Sequence, residues 1–186
     1  ERFDYSGLRE EPFRKLLLSE TQKFYRDQNN YYVKALRPLF FKNGFSIVAF
    51  NELSIENTQR VNEYFLKTIY PMLTPMVFDS YHTFPVLMNN RLLFGVVTKN
   101  PNETQNQQKV SFIQVPQNLP RFYELSLDSI TQFVPIEEII RNNIHNLFRN
   151  VEIISTNLFR INRNGDFTLE ESEDIESNFL EDLRRK

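Results

Sequence analysis

Tyr70-Pro-Met-Leu-Thr-Pro-Met-Val-Phe-Asp-Ser-Tyr-His-Thr-Phe-Pro-Val-Leu-Met-Asn-Asn90 is the stretch on which the fold turns. It carries three of the chain's nine prolines and one of its two histidines. Proline fixes φ and has no backbone N–H, so neither a helix nor an inner strand is expected to run through it. No helical or strand periodicity is visible. The segment is nevertheless rich in side chains to bury, among them Met72, Leu73, Met76, Val77, Phe78, Phe84, Val86 and Leu87. It reads as a stiff, extended connector between a helix before it and a sheet after it.

Before this stretch, the spacing predicts a long helix from about Arg9 to Lys42. Leu17, Phe24 and Tyr31 recur every seven residues, with Phe13 and Ala35 on or near the same side. The expected role of that stripe is core packing, with a coiled-coil interface as the alternative. Pro38 should kink or restart the helix, and Asn43-Gly44 should stop it. Phe45–Phe50 is short, apolar and bounded by turn residues, so it reads as a strand. Ser54 is a candidate N-cap for a helix with Val61, Phe65 and Ile69 on one face, ending near Tyr70 ahead of Pro71.

After it, Arg91–Thr98 is an almost continuous apolar run, expected as an inner strand buried on both faces. A polar loop over 99–108 leads to a partner strand over 109–115, ended by Pro116. Phe122–Leu125 and Ile130–Val134 read as two short strands joined through 127–129. Pro135 falls at a first helical position with Glu137 and Glu138 in the first turn. Ile136, Ile140, Ile144 and Leu147 give that helix its apolar face, and Arg149 closes it. Val151–Ile161 is the last long strand. Asn164-Gly165 signals a tight turn, and residues 170–186 read as an amphipathic helix. These elements predict an α+β fold: a mixed, largely antiparallel sheet of about five to six strands, flanking helices, and a long N-terminal helix. The expected division is residues 1–43, a linker or packing helix, and 44–186, an α+β domain.

Composition narrows the chemistry. The 186 residues suit one domain of ordinary size with an appended helix. With no cysteine, disulfides and thiolate metal sites are excluded. A net charge of −2 provides no bulk field for nucleic acid or anionic membrane. No apolar run approaches the ~20 residues that span a bilayer. The chain begins without Met, as expected of a piece of something longer. The four glycines are scattered, so no phosphate-binding glycine loop is present. Arg160–Glu171 partly fits a calcium loop, but Arg160 stands where the ion needs a carboxylate, so a plain turn is expected. Asn102-Glu-Thr104 fits a glycosylation acceptor, a triplet that arises often by chance. A hydrolase built on His82 and Asp79 has no nucleophile motif behind it. The remaining site candidates are His82, Arg91, Arg121, Arg160 and Arg163, which would form an edge facing a polyanion.

Four segments in order resemble the middle, or head, domain of the class 1 polyphosphate kinases. Tyr70–Leu87 is similar to that family's Phe/Tyr-Pro-x-Leu-Thr-Pro run followed by an Asp and His-Pro-Phe-Pro, with Thr83 where proline is usual. Val115–Phe122 resembles its VP-x-N-LPRF segment, Phe133–Ile139 its F-V-P-L-E-x-x-I, and Leu158–Asp166 its FR-x-TRN-x-D with the acidic run behind. The resemblance implies a parent enzyme, bacterial and cytoplasmic, that reversibly transfers the terminal phosphate of ATP to inorganic polyphosphate through a phosphohistidine, using magnesium. The family's histidine and most nucleotide and metal contacts lie in later domains whose motifs are not in this sequence. No catalytic, cofactor or metal residue is therefore expected here. The implied role is to support subunit contacts in a homo-oligomer and to frame the catalytic tunnel. The implied partners are the enzyme's other domains and polyphosphate, with no nucleic acid and no membrane span. The alternative is a free-standing module binding polyanions or nucleic acid.

Overall fold

The computed structural model describes residues 10–78, 84–101, 108–127 and 130–162. Residues 1–9, 79–83, 102–107, 128–129 and 163–186 lie outside, and with them Arg9 at the expected start of the first helix, Asp79, His82, Arg163, the polar loop tip, the Asn102 triplet, the Asn164-Gly165 turn, most of the calcium-like segment and the C-terminal helix.

By its contacts the chain divides into two compact units, Glu1–Ala49 with Phe122–Val134, and Phe50–Arg121 with Pro135–Lys186. The first contains helix α1 (Glu10–Tyr31), a π-helical turn (Tyr32–Leu36) and helix α2 (Arg37–Lys42). The break expected at Pro38 is thus a widened turn. Pro38 offers no N–H and its ring crowds the carbonyl four residues back, and the Arg37 N–H donates to the Tyr32 carbonyl, five residues back. Gly44, at φ 81°, ends α2 as expected. The core-packing role read for α1 is not met among the described residues: Leu17, Phe24 and Tyr31 are 52%, 64% and 63% exposed.

Strand β1 (Phe45–Ile47) is shorter than the Phe45–Phe50 strand expected, because Phe50 begins a 3₁₀ turn. It pairs in parallel with the later strand β6 (Ile130–Pro135), in register Phe45↔Thr131 to Ile47↔Phe133. With β5 (Phe122–Leu127) these form a three-stranded sheet in the order β1-β6-β5. Phe45 stacks on Phe40 at 4.8 Å and meets Phe133 edge-on at 6.3 Å, so α2 and the sheet share an aromatic contact.

The second unit begins with helix α3 (Ile55–Tyr64). Ser54 caps it, its hydroxyl accepting from the Asn57 N–H at 3.2 Å. A second π-helical turn, Phe65–Ile69, ends in a Tyr70 N–H donating to the Phe65 carbonyl. Pro71 follows, as Pro38 follows the first. The connector read for Tyr70–Asn90 also contains a strand, β2 (Pro75–Phe78), which the sequence reading missed. It lies at the sheet's edge and opens with Pro75, where the missing N–H costs no ladder bond. Strands β3 (Leu92–Lys99), β4 (Gln108–Gln114) and β7 (Glu152–Arg160) complete a four-stranded antiparallel sheet, ordered β2-β4-β3-β7.

Strand β3 is the expected inner strand, with Leu93, Phe94 and Val96 all buried. On one face Leu93, Leu87 and Phe112 form a core with Met76, Phe78, Phe84, Val110, Phe159 and Ile161 around it. Phe84, Phe112 and Phe159 run edge to face, 5.3 and 6.2 Å between centroids. Gly95 leaves room for this packing: a Cβ there would sit 3.1 Å from a Phe159 ring carbon, closer than ordinary van der Waals contact. On the other face lies helix α4 (Ile136–Asn143), whose Arg141 guanidinium stands 5.9 Å from the Phe94 ring centroid.

Pro135 is the N-cap of α4 (φ −60°, ψ 138°), one position earlier than expected, since it also closes β6. The helix stops at Asn143, and a 3₁₀ turn carries Ile144–Leu147, so Arg149 lies beyond it rather than at its end. The α+β class, the antiparallel majority and the long first helix follow the sequence reading. The described strands number seven and divide between two sheets.

Candidate functional site

Within the second unit the ends of β3, β4 and β7 and the start of α4 surround a concavity of about 280 Å³. Its lining includes Asn90, Leu92, Gln117, Arg121, Ile136 and Arg160. Each is placed by a local reason. Asn90 takes a left-handed turn (φ 57°), which asparagine tolerates, and its N–H donates to the Ile161 carbonyl at 2.7 Å. That bond ties the turn before β3 to the end of β7, where Leu92 faces Arg160 in register. The Val115 N–H donates to the Leu92 carbonyl at 2.9 Å, after which Pro116 turns the chain out of the sheet.

Arg121 meets α4 twice. The Ile136 N–H donates to its carbonyl at 3.0 Å, which satisfies one of the donors that a helix start leaves without an intrahelical partner. Its guanidinium donates from both terminal nitrogens to the two carboxylate oxygens of Glu137. That fork matches the carboxylate's planar geometry. The Glu137 side chain is 15% exposed against 47% for Arg121, so the pair is anchored in protein at the acid and open to solvent at the base.

Of the five residues read from the sequence, Arg121 and Arg160 therefore come together at one concavity. Arg91 does not line it, although both its chain neighbours do. His82 and Arg163 are outside the described residues. Glu137 and Asn90 were not read as site residues. Glu137 was assigned to the helix dipole, and its pairing with a base 16 residues away leaves no local trace. The lining provides arginines, amides and apolar carbon, with Glu137 engaged by Arg121, which is a donor set for an anion and not for a divalent cation. Among the described residues no three His, Cys, Asp or Glu cluster as metal ligands, and no helix is long and apolar enough to cross a membrane.

A neighbouring concavity of about 340 Å³ is lined by Met72, Thr74, Met76, Gln114 and the Pro116–Asn118 turn. The Gln114 side-chain amide points to the Met88 sulfur at 3.6 Å. Among the described residues its lining carries no charged group, so its chemistry is that of an apolar, amide-rimmed groove.

Fold and site together define an α+β domain with an arginine-bearing concavity and no metal-ligand cluster among its described residues. The family model of the polyphosphate kinase middle domain matches residues 56–186. The polyphosphate kinase of Dictyostelium discoideum is 32% identical over 172 residues, covering 92% of this chain and 16% of that protein. That of Halalkalibacterium halodurans is 34% identical over 145 residues, covering 77% of this chain and 20% of that protein. A crystal structure of polyphosphate kinase from Porphyromonas gingivalis shares the fold, with a TM-score of 0.71 at 20% identity over 84% of this chain and 25% of that one. The chain belongs to the polyphosphate kinase family, as its middle domain, and spans a fifth or less of the two relatives just named.

Proposed function

We propose that this chain is a non-catalytic segment of a larger cytoplasmic phosphotransferase. The whole enzyme moves the terminal phosphate of ATP reversibly onto inorganic polyphosphate through a phosphohistidine, with magnesium bound elsewhere. This segment frames the path of the polyphosphate and supports contacts between subunits. The observation that carries the reading is the match to the middle-domain family over residues 56–186 in a chain that covers only 16% and 20% of two relatives named polyphosphate kinase. The concavity supports it in kind: Arg160 is exposed at the sheet end, and Arg121 is already neutralised by Glu137. One guanidinium exposed at the sheet end steers a polyanion without holding it tightly.

Two measurements on the isolated chain test this. Incubated with ATP, magnesium and polyphosphate, it should give no phosphoryl transfer; turnover there would end the proposal. Titrated with long-chain polyphosphate, it should bind weakly even at low salt. The competing reading, a free-standing polyanion module, requires tight binding that falls steeply with salt, because such affinity comes from neutralised phosphates. The net charge of −2 disfavours it.

A further inference from the structure

The chain leaves its second unit after Arg121 and re-enters it at Pro135. Between those points it makes the excursion that holds β5 and β6. Both ends of that excursion are fastened at one place, by the Ile136 N–H on the Arg121 carbonyl and by the two-bond ion pair between Arg121 and Glu137. We propose that Arg121 and Glu137 form an electrostatic latch that closes the base of the 122–134 excursion, and that its opening loosens β5 and β6 while β6 stays paired to β1.

Three features single out this pair. The first is position: the pairs Lys15–Glu11, Lys67–Glu63 and Arg141–Glu138 join residues three or four apart in sequence. Such pairs contribute little to stability. Arg121–Glu137 instead closes a 16-residue loop, so making it fixes chain that would otherwise be free. The second is geometry: a two-bond fork constrains orientation as well as distance, which a single contact does not. The third is stiffness on both sides. Pro120 stands immediately before Arg121 and Pro135 two residues before Glu137, and each has its own φ fixed, so the chain is stiffened beside both partners.

Local opening of this kind is read by amide hydrogen exchange. On the full 186-residue chain, Glu137→Gln and Arg121→Gln should each raise exchange of the Phe122–Val134 amides about tenfold. That corresponds to about 1.4 kcal/mol, within the range for hydrogen bonds to charged groups. Amides of β3 and β4 should be unchanged. The reversed pair, Arg121→Glu with Glu137→Arg, should recover a large part of the protection. In the unaltered chain, raising NaCl from low to molar concentration should selectively speed exchange over the same residues, because half the pair is open to solvent. This arm keeps the test decisive if a variant does not fold. Unchanged exchange in 122–134, or a uniform rise through β3 and β4 as well, would overturn the latch.

Discussion

Single residues in this chain do work that their type does not announce. Asn143 is 6% exposed, and its amide donates to the Ile139 carbonyl at 3.1 Å and to the Asn62 side-chain oxygen at 2.9 Å. It thereby ties α4 to α3. Asn143→Ala should lower stability by about 1–3 kcal/mol in urea unfolding, since it strands the Asn62 oxygen in a partly buried site. Asn143→Leu would cost no more than a surface change only if that network were ornamental. Gly95 makes a complementary case. Gly95→Ala forces a methyl against the Phe159 ring and should destabilise by about 1–3 kcal/mol, the usual range for overpacking. An unchanged urea midpoint would show that the ring moves aside freely. The sequence reading placed Gly95 correctly in an inner strand, but which aromatic ring crosses it depends on β7, some sixty residues on, and no local pattern carries that.

At the scale of elements, local punctuation was read well and its consequences less so. Ser54 caps α3 as expected, and Ser54→Ala should cost about 0.5–2 kcal/mol, seen as a lower thermal midpoint with unchanged folded-state circular dichroism. The prolines were read as breaks. In both helices the response is instead a π-helical turn ending two residues before the proline, with the N–H of Arg37 or Tyr70 reaching five residues back. Replacing Pro38 by Ala restores an N–H four residues from Lys34. The Arg37-to-Tyr32 bond should then give way to ordinary helical pairing, visible in a crystal structure of the variant. Persistence of the wide turn would mean that packing around Tyr32 and Phe40, 6.3 Å apart, sets it instead. Strand β2 shows the opposite error. The three prolines in Tyr70–Asn90 exclude an inner strand and leave an extended connector as the reading, yet an edge position needs no donor from its first residue, so an edge strand fits there.

At the scale of the whole molecule, the arginine edge imagined from the sequence contracts to Arg121 and Arg160 at one concavity, with Arg121 already paired. Binding of long-chain polyphosphate to this chain should accordingly show a shallow salt dependence, with a log–log slope of magnitude below about 2. Arg160→Glu should abolish what binding there is. A slope equivalent to many neutralised phosphates would return the free-standing module to favour.

The sequence by itself determined the class of this protein, the order of most of its elements, the stops and caps between them, and the family. Those signals are written within a turn of helix or a few residues of strand, where sterics and hydrogen-bonding capacity act. Only the tertiary structure decided that the strands divide between two sheets, that β1 runs parallel to β6, and that Arg121 finds Glu137. Such pairings depend on which distant surfaces fit once loop-closure entropy is overcome, and that complementarity belongs to the packed chain rather than to any stretch of it.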